Sequence, residues 1–175
     1  MDSPTPKKWH TREDSGIALD RRLTWLHDGE VIDHPNIIEA FNRGVRVMDD
    51  GRYQLHFGSD WCFIEVADCA FGVVAVDVSE GDRLSVRLSD RTAEWLDATS
   101  LELDDEGVVT VRVKEGKAKA RFSRTAQSQL AEFFVPAGER LALDVRGRRW
   151  MTPLTAAPTG TAPAGPRPSS PSPPR

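Results

Sequence analysis

The chain has 175 residues, with 27 acidic and 23 basic side chains and a formal net charge of −4 at pH 7. That length favours one compact unit, or two small lobes packed as one. The longest apolar run, Cys69 to Val76, has eight residues where a membrane helix needs about twenty, which excludes a membrane-spanning helix. Because no secretory type of leader is visible either, we expect a soluble, cytoplasmic protein.

The two ends of the chain hold few residues that could join a core. Residues 1–16 contain one large aromatic residue, Trp9, and we expect them to form a flexible leader. Residues 151–175 are rich in proline, and no large apolar residue follows Leu154. A segment of this composition cannot bury enough apolar surface to offset its chain entropy, so we expect a disordered tail.

The segment after the leader predicts a hairpin, a helix and a second hairpin. Pro35 suits the first position of a helix, and Gly44 suits a left-handed helix end. Either Asp33 or His34 can cap this helix at its start. The predicted elements are strands at 24–26 and 30–32, a helix at 35–43, and strands at 45–48 and 53–57, with Asp-Gly turns in both hairpins.

The middle of the chain is rich in predicted strands. Two nearly continuous apolar runs, 61–66 and 71–78, are typical of strands covered on both faces, and they form the expected centre of the core. Clean alternation at 83–88 predicts a further strand with one buried face. Asp90 is expected to cap one helical turn that carries Trp95.

The last third of the chain repeats the first pattern. The predicted elements are strands at 109–113 and 118–122, a helix at 124–134 capped by Ser123, and strands at 140–145 and 148–150. A β-β-α-β-β unit used twice predicts an α+β fold with mostly antiparallel strands. We expect two small lobes, an N-terminal one over residues 17–66 and a C-terminal one over residues 67–150, with a ligand-binding cleft between them.

One predicted hairpin, at 110–121, carries a row of basic side chains, which we call the basic stripe. Strand alternation places five basic residues on the face opposite the apolar ones, namely Arg112, Lys114, Lys117, Lys119 and Arg121. Such a stripe suits an anionic or protein partner. The alternative is protective, since exposed strands often carry lysines that discourage edge-to-edge pairing. Nucleic acid is not expected, because the stripe lacks aromatic residues that would stack bases.

The signatures of common catalytic and cofactor sites are missing from the sequence. The glycines lack phosphate-binding spacing, and no Gly-x-Ser-x-Gly elbow occurs. The histidines, His10, His27, His34 and His56, lack paired spacing, and Cys62 and Cys69 lack the spacing of a zinc site. We therefore expect no metal and no cofactor, and we interpret the two cysteines as buried thiols rather than a disulfide.

Five residues are candidates for ligand contact in the cleft. They are Trp25, His27, Glu65, Asp68 and Arg87. In this interpretation Trp25 stacks a flat ligand group, while His27 and Arg87 hold its charge. An enzymatic alternative is a hydrolase that uses His27 with Glu65 or Asp68 as acid and base. Asp68 also has a structural explanation as a turn residue.

An ordered series of short segments resembles a bacterial family, the domain of unknown function 1285 (DUF1285). The segments are 25–32, the helix that ends at Phe41, 50–55, 64–71 and 75–77, within a likeness that extends over roughly residues 20–150. The resemblance implies two lobes built from a repeated hairpin-helix-hairpin unit. It also implies a C-terminal lobe that superficially looks like a pleckstrin-homology domain, and a ligand in the cleft between the lobes.

These patterns together predict a ligand-binding protein. The expected ligand is small and anionic or nucleotide-like, it lies in the inter-lobe cleft, and the role is regulatory or signalling. The first alternative is a protein-interaction module that uses the hairpin 110–121 and the proline-rich tail, since extended proline-rich segments dock onto aromatic grooves. The second alternative is the hydrolase.

Overall fold

The structure, a computed structural model, describes residues 10–155. Its first sheet has six strands in the order β3-β2-β1-β6-β5-β4. The elements of this part are β1 (Ile17–Leu19), β2 (Trp25–His27), β3 (Glu30–Val31), α1 (Pro35–Gly44), β4 (Val45–Val47), β5 (Tyr53–Phe57) and β6 (Asp60–Val66). β1 pairs in parallel with β6, and every other pair in this sheet is antiparallel.

The second sheet also has six strands, in the order β10-β11-β12-β7-β8-β9, and a third sheet has three strands in the order β13-β14-β15. The elements are β7 (Phe71–Ser79), β8 (Arg83–Leu88), β9 (Ala93–Trp95), a 3-10 helix (Ala98–Ser100), β10 (Glu102–Leu103), β11 (Val109–Val113), β12 (Ala118–Phe122), α2 (Arg124–Ala131), β13 (Phe134–Ala137), β14 (Arg140–Val145) and β15 (Arg148–Thr155). The predicted α+β class is confirmed, and antiparallel pairing predominates.

The predicted repeat is present in the order of the elements. The first unit is β2-β3-α1-β4-β5, and the second is β11-β12-α2-β14-β15 with one additional strand, β13, after its helix. The predicted cap of α2 is confirmed, because the Ser123 hydroxyl accepts a hydrogen bond from the Ala126 amide. At α1 the cap residue is His34, whose side chain makes no capping hydrogen bond.

A single apolar core joins the two six-stranded sheets and the third sheet. Leu19, Trp25 and Leu55 from the first sheet belong to the same buried cluster as Phe71 from the second and Leu143 from the third. The alternation predicted for the hairpin 110–121 is confirmed, since the apolar residues of β11 and β12 that were expected to point inward are all buried.

The helix α2 is shorter than predicted, and a strand follows it. α2 ends at Ala131, and Phe134, expected inside the helix, begins β13 and pairs with Leu143 of β14. The amide of Phe133 donates to the Leu130 carbonyl and closes the last turn. An apolar residue at position 134 is compatible with either a helix face or a strand. Phe134 lies in a strand because it pairs with β14, a strand further along the chain.

Two further elements in the middle of the chain differ from the prediction. The helical turn expected after Asp90 is instead the strand β9, because the Asp90 carboxylate accepts hydrogen bonds from Thr92 and closes a turn between β8 and β9. β6 is not covered on both faces, since Ile64 is its single buried residue. β7 fits the expectation over most of its length, since five of its first six residues are buried and only Val74 among them is exposed.

Gly44 has a different role from the predicted one. It is the last residue of α1, and its backbone is not left-handed. A Cβ at this position would lie 2.2 Å from the backbone oxygen of His56, so only glycine allows the end of α1 to approach β5 this closely.

The boundaries of the two chain ends also differ from the prediction. Residues 10–16, expected to be a flexible leader, lie along the first sheet, where the Phe63 amide donates to the Arg12 carbonyl and the Ser15 hydroxyl donates to the Phe63 carbonyl. β15 continues past the expected boundary at residue 150 through Thr155, and it buries Thr152 and Leu154. The rest of the proposed leader and tail, residues 1–9 and 156–175, lies outside the described residues.

None of the helices in residues 10–155 is long and apolar enough to cross a membrane.

Candidate functional site

Two adjoining cavities lie where the first and second sheets meet. Their volumes are about 810 Å³ and about 460 Å³, and they share Val47 and Lys114 as lining residues. β4 and the end of α1 line one side, while β9 and the β11–β12 turn line the other. We call these two cavities together the inter-lobe groove.

Two arginines, Arg43 and Arg46, stand on the α1 side of the groove. Both are exposed, and no carboxylate pairs with either of them in the described part of the chain. Arg46 Nη1 donates to the carbonyls of Arg43 and Val45, both at 2.8 Å. These bonds fix the Arg46 guanidinium beside the C-terminal end of α1, where a cation is favoured by the helix dipole.

Lys114 lies at the junction of the two cavities and is held by two carboxylates. Its Nζ atom is 2.7 Å from Asp90 Oδ2 and 3.1 Å from Glu94 Oε1, and it lies over the Phe71 ring. Burial of Asp90 would raise its pKa, but hydrogen bonds from Lys114 and Thr92 outweigh this and lower the pKa below its ordinary value of 3.8. Lys114 is therefore a neutralised, structural cation.

The opposite side of the groove presents Arg112 and Trp95. Arg112 is exposed, and among residues 10–155 no carboxylate forms an ion pair with it. Burial raises the pKa of Tyr53 on β5, while the nearby charge of Arg112 acts in the opposite direction. Trp95 is 49% exposed, and the guanidinium of Arg83 lies 4.6 Å from its ring centroid. A cation and an aromatic ring thus line the same cavity.

Trp25 cannot stack a ligand in this structure. Its side chain is only 1% exposed, its Nε1 atom donates to Asn42 Oδ1 at 2.8 Å, and its ring packs edge-to-face on Phe41 at 5.2 Å. Both the apolar ring and the polar N–H are satisfied inside the first lobe, which makes Trp25 a core residue. The structure therefore does not support the prediction that Trp25 contacts a ligand.

Two of the other predicted ligand residues, Arg87 and Asp68, pair with side chains outside the predicted set. Arg87 pairs with Asp77 at 3.4 Å on the exposed face of the second sheet. Asp68 lies 3.5 Å from Lys119 and accepts a hydrogen bond from the Cys69 thiol, and burial together with this acid raises the pKa of Cys69 to about 12. No hydrogen bond or ion pair within residues 10–155 joins any two of the five, and none of them lines the groove.

Four residues of the basic stripe are matched by acidic residues. Besides Lys114, the pairs are Lys117 with Asp49, Lys119 with Asp68 and Glu102, and Arg121 with Asp104 and Glu106. The hydrogen bond and charge of Lys117 lower the pKa of Asp49. Much of the stripe's charge is thus balanced within the molecule. Three of its residues, Arg112, Lys114 and Lys117, line the inter-lobe groove.

His27 belongs to a different cluster, at the tip of the first hairpin. His10 Nε2 lies 2.8 Å from Asp28 Oδ2, and His27 Nε2 lies 3.9 Å from the same oxygen. The two imidazole rings are 4.9 Å apart. Two imidazoles and a carboxylate are a donor set that binds divalent transition metals.

Sequence reasoning missed Arg43, Arg46 and Trp95 on the groove and His10 at the hairpin tip. The arginines follow no motif, and Trp95 was assigned to a helical turn rather than to the strand that exposes it. His10 was assigned to the leader, and it reaches His27 only because residues 10–16 lie along the first sheet. In the sequence, the adjacency of His27 and Asp28 is the one local indication of this cluster.

The fold and the groove together define a two-lobed α+β protein with a repeated hairpin-helix-hairpin unit. Comparison with family models and with curated proteins finds no match. Among solved structures, the chain is similar to a DUF1285 family protein from Silicibacter pomeroyi DSS-3, with a TM-score of 0.59, 19% identity, and coverage of 80% of this chain and 79% of that chain. The resemblance to DUF1285 expected from the sequence is thereby confirmed for the fold.

A DUF1285 family protein from Shewanella baltica OS155 also aligns, with a TM-score of 0.47 and 18% identity, over 63% of this chain and 85% of that chain.

Proposed function

We propose that the protein binds a small anionic ligand in the inter-lobe groove. The observation that carries this proposal is that three arginines without carboxylate partners among the described residues line the groove, Arg43 and Arg46 in its smaller cavity and Arg112 in its larger one. Arginine presents several fixed N–H donors that match phosphate or carboxylate oxygens in pairs. An anion between these side chains would bridge the two lobes.

Trp95 supports a nucleotide-like ligand within that class. It is half-exposed in the same cavity as Arg112, so a flat heterocycle could stack beside a phosphate held by the arginine. The volume of about 810 Å³ lies in the range typical of small-molecule sites. Trp95 thus takes the stacking role that the sequence suggested for Trp25.

A regulatory or signalling role suits such a site better than catalysis does. Binding between two lobes changes how they contact each other, which is a common means of passing on a signal. The hydrolase alternative has less support, since His27 contacts Asp28 rather than Glu65 or Asp68. The interaction module also has less support, because acidic neighbours balance most of the basic stripe. The two free thiols, Cys62 and Cys69, fit a reducing, cytoplasmic setting.

Calorimetric titration with ATP as the probe tests this function. Relative to the parent chain, Arg43→Ala and Arg112→Ala should each weaken ATP binding about 10-fold or more, because each removes a charge-assisted contact. Higher salt should weaken binding by the parent, since exposed charges are screened over about 8 to 10 Å at physiological ionic strength.

Two control variants show whether a loss of ATP binding is specific to the groove. Arg140→Ala removes an exposed arginine outside the groove and should bind ATP as the parent does. Lys119→Ala removes a basic stripe residue that does not line the groove, and it should also bind normally. If Lys119→Ala weakens binding as much as Arg112→Ala, the stripe rather than the groove holds the anion. If the parent binds no ATP, the nucleotide-like class is wrong.

A further inference from the structure

A second site, independent of the groove, lies at the tip of the β2–β3 hairpin. We propose that His10, His27 and Asp28 bind a divalent transition metal ion of the zinc type. One ligand atom from each of these residues lies within 4.8 Å of the other two. The three side chains are partly exposed, so a metal ion can reach them from solvent.

The distances in this cluster fit a single metal ion. Tetrahedral zinc with bonds of about 2.0 to 2.2 Å keeps its ligand atoms about 3.3 to 3.5 Å apart. The two measured separations from Asp28 Oδ2, 2.8 Å to His10 Nε2 and 3.9 Å to His27 Nε2, lie on either side of that value. Small side-chain rotations therefore bring the three atoms to bonding distance of one ion, with a further position left for water.

The backbone holds the ligands together across two chain segments. The Asp28 amide donates to the Gly16 carbonyl at 2.8 Å, and Ile17 pairs with His27 in the β1–β2 register. Gly16 is left-handed, with φ of 67°, and a Cβ there would lie 2.5 Å from Asp28 Oδ1 and 2.6 Å from His10 Cε1. Only glycine lets the chain pass this closely beneath both side chains, so the site is shaped by the backbone before any ion binds.

Three further acidic residues lie near the cluster. Asp28 also lines a cavity of about 360 Å³ whose wall includes the carboxylates of Glu13, Asp14 and Glu65. Glu13 also lies 3.4 Å from Arg52. Glu65, one of the five residues predicted to contact a ligand, lines the same cavity as Asp28.

The donor set selects the class of metal. Imidazole nitrogens favour Zn²⁺ and its neighbours in the transition series over Mg²⁺ and Ca²⁺, which prefer oxygen ligands alone. The hydrogen bond to Asp28 requires a proton on His10 Nε2, so coordination through this nitrogen requires the tautomer that carries its proton on Nδ1. The ion would tie residues 10–16 to the hairpin tip.

Calorimetric titration of the chelator-treated full chain with ZnCl₂ tests this site. The parent should bind one Zn²⁺ per chain, and His10→Ala and His27→Ala should each weaken binding by on the order of 100-fold, because each removes a direct ligand. His56→Ala is the matched control, since His56 is an exposed histidine on the same sheet whose side chain contacts Gln54 instead. It should bind Zn²⁺ as the parent does.

Three results would overturn the proposal. The first is that the parent does not bind Zn²⁺ stoichiometrically. The second is that His27→Ala binds Zn²⁺ as tightly as the parent does. The third is that the parent binds Mg²⁺ as tightly as Zn²⁺, which would assign the cation to the acidic cavity alone. Circular dichroism of each variant checks that the fold is retained. As a second readout, Co²⁺ bound to the parent should show the absorption of a nitrogen-ligated site, and His27→Gln should abolish it.

Discussion

At the scale of single residues, the structure depends on how acidic and basic side chains are matched. Asp90 is the clearest case, because its side chain is only 6% exposed and yet is held ionised by Lys114 and Thr92. The same carboxylate closes the β8–β9 turn and fixes Lys114 at the junction of the two cavities of the groove. One residue therefore contributes to local structure, to packing and to the shape of the candidate site.

The lowered pKa of Asp90 predicts a specific pH dependence of stability. A group whose pKa is lower in the folded state stabilises the fold above its unfolded value, and this contribution disappears as the pH falls through the folded pKa. Asp90→Asn should therefore cost about 2 kcal/mol of unfolding free energy at neutral pH. The difference from the parent should narrow as the pH falls below 3.8.

Urea denaturation of both proteins as a function of pH measures this difference. Asp77→Asn is the control, since Asp77 belongs to an exposed ion pair with Arg87 and should cost little at any pH. A difference between Asp90→Asn and the parent that stays constant through the acid range would show that Asp90 contributes through packing rather than through its charge.

At the scale of secondary structure, local turn and capping chemistry predicted most elements, and non-local pairing decided the rest. The strands predicted at 109–113 and 118–122 begin and end at those residues. β13 was missed because its four residues contain Pro136 and pair with a strand further along the chain. β9 was missed for a related reason, since Asp90 can begin a helix or close a turn with the same hydrogen-bonding pattern.

The packing of α2 gives a prediction at this scale. Leu130 is fully buried on the core side of the helix, whereas Phe133 lies after its end and is partly exposed. Leu130→Ala should therefore cost about 2 to 5 kcal/mol of unfolding free energy, more than Phe133→Ala does. Ser128→Ala, on the exposed face of the same helix, is the control and should change stability by less than about 0.5 kcal/mol. A larger loss for Phe133→Ala than for Leu130→Ala would contradict this packing.

At the scale of the whole molecule, the three sheets share one core, so the lobes are not independent. The third sheet contributes Leu143, Val145 and Leu154 to the cluster that also contains Trp25 of the first sheet. The division into lobes at residues 17–66 and 67–150 remains a proposal. Its C-terminal limit lies five residues before the end of β15.

A pair of truncations tests the contribution of the last strand. Deletion of residues 151–175 removes the buried Leu154 and Thr152, so it should cost about 3 kcal/mol or more relative to deletion of residues 156–175. Thermal unfolding of the two truncated chains measures the difference directly. Equal melting temperatures would show that the end of β15 adds nothing to the core.

The candidate site was harder to predict than the fold, because it depends on which segments meet. Three acidic residues from separate parts of the chain, Asp49, Asp68 and Asp104, pair with residues of the basic stripe. No local sequence pattern predicts these ion pairs. Trp25 and Trp95 have similar sequence surroundings in strands, yet packing buries one and exposes the other. Residue types and strand alternation predicted which side chains share one face of a strand. Only the structure shows which of these faces pack against each other.

The most direct test of the central claim is to locate the bound anion by NMR. ATP should be titrated into ¹⁵N-labelled full-length protein, with the indole N–H of Trp95 and the amides of Val47, Arg112 and Lys114 as probes of the groove. The proposed function predicts saturable shifts at these positions and little change around Lys119. Shifts centred on Lys119, or none at the groove when ATP is in large excess, would contradict it.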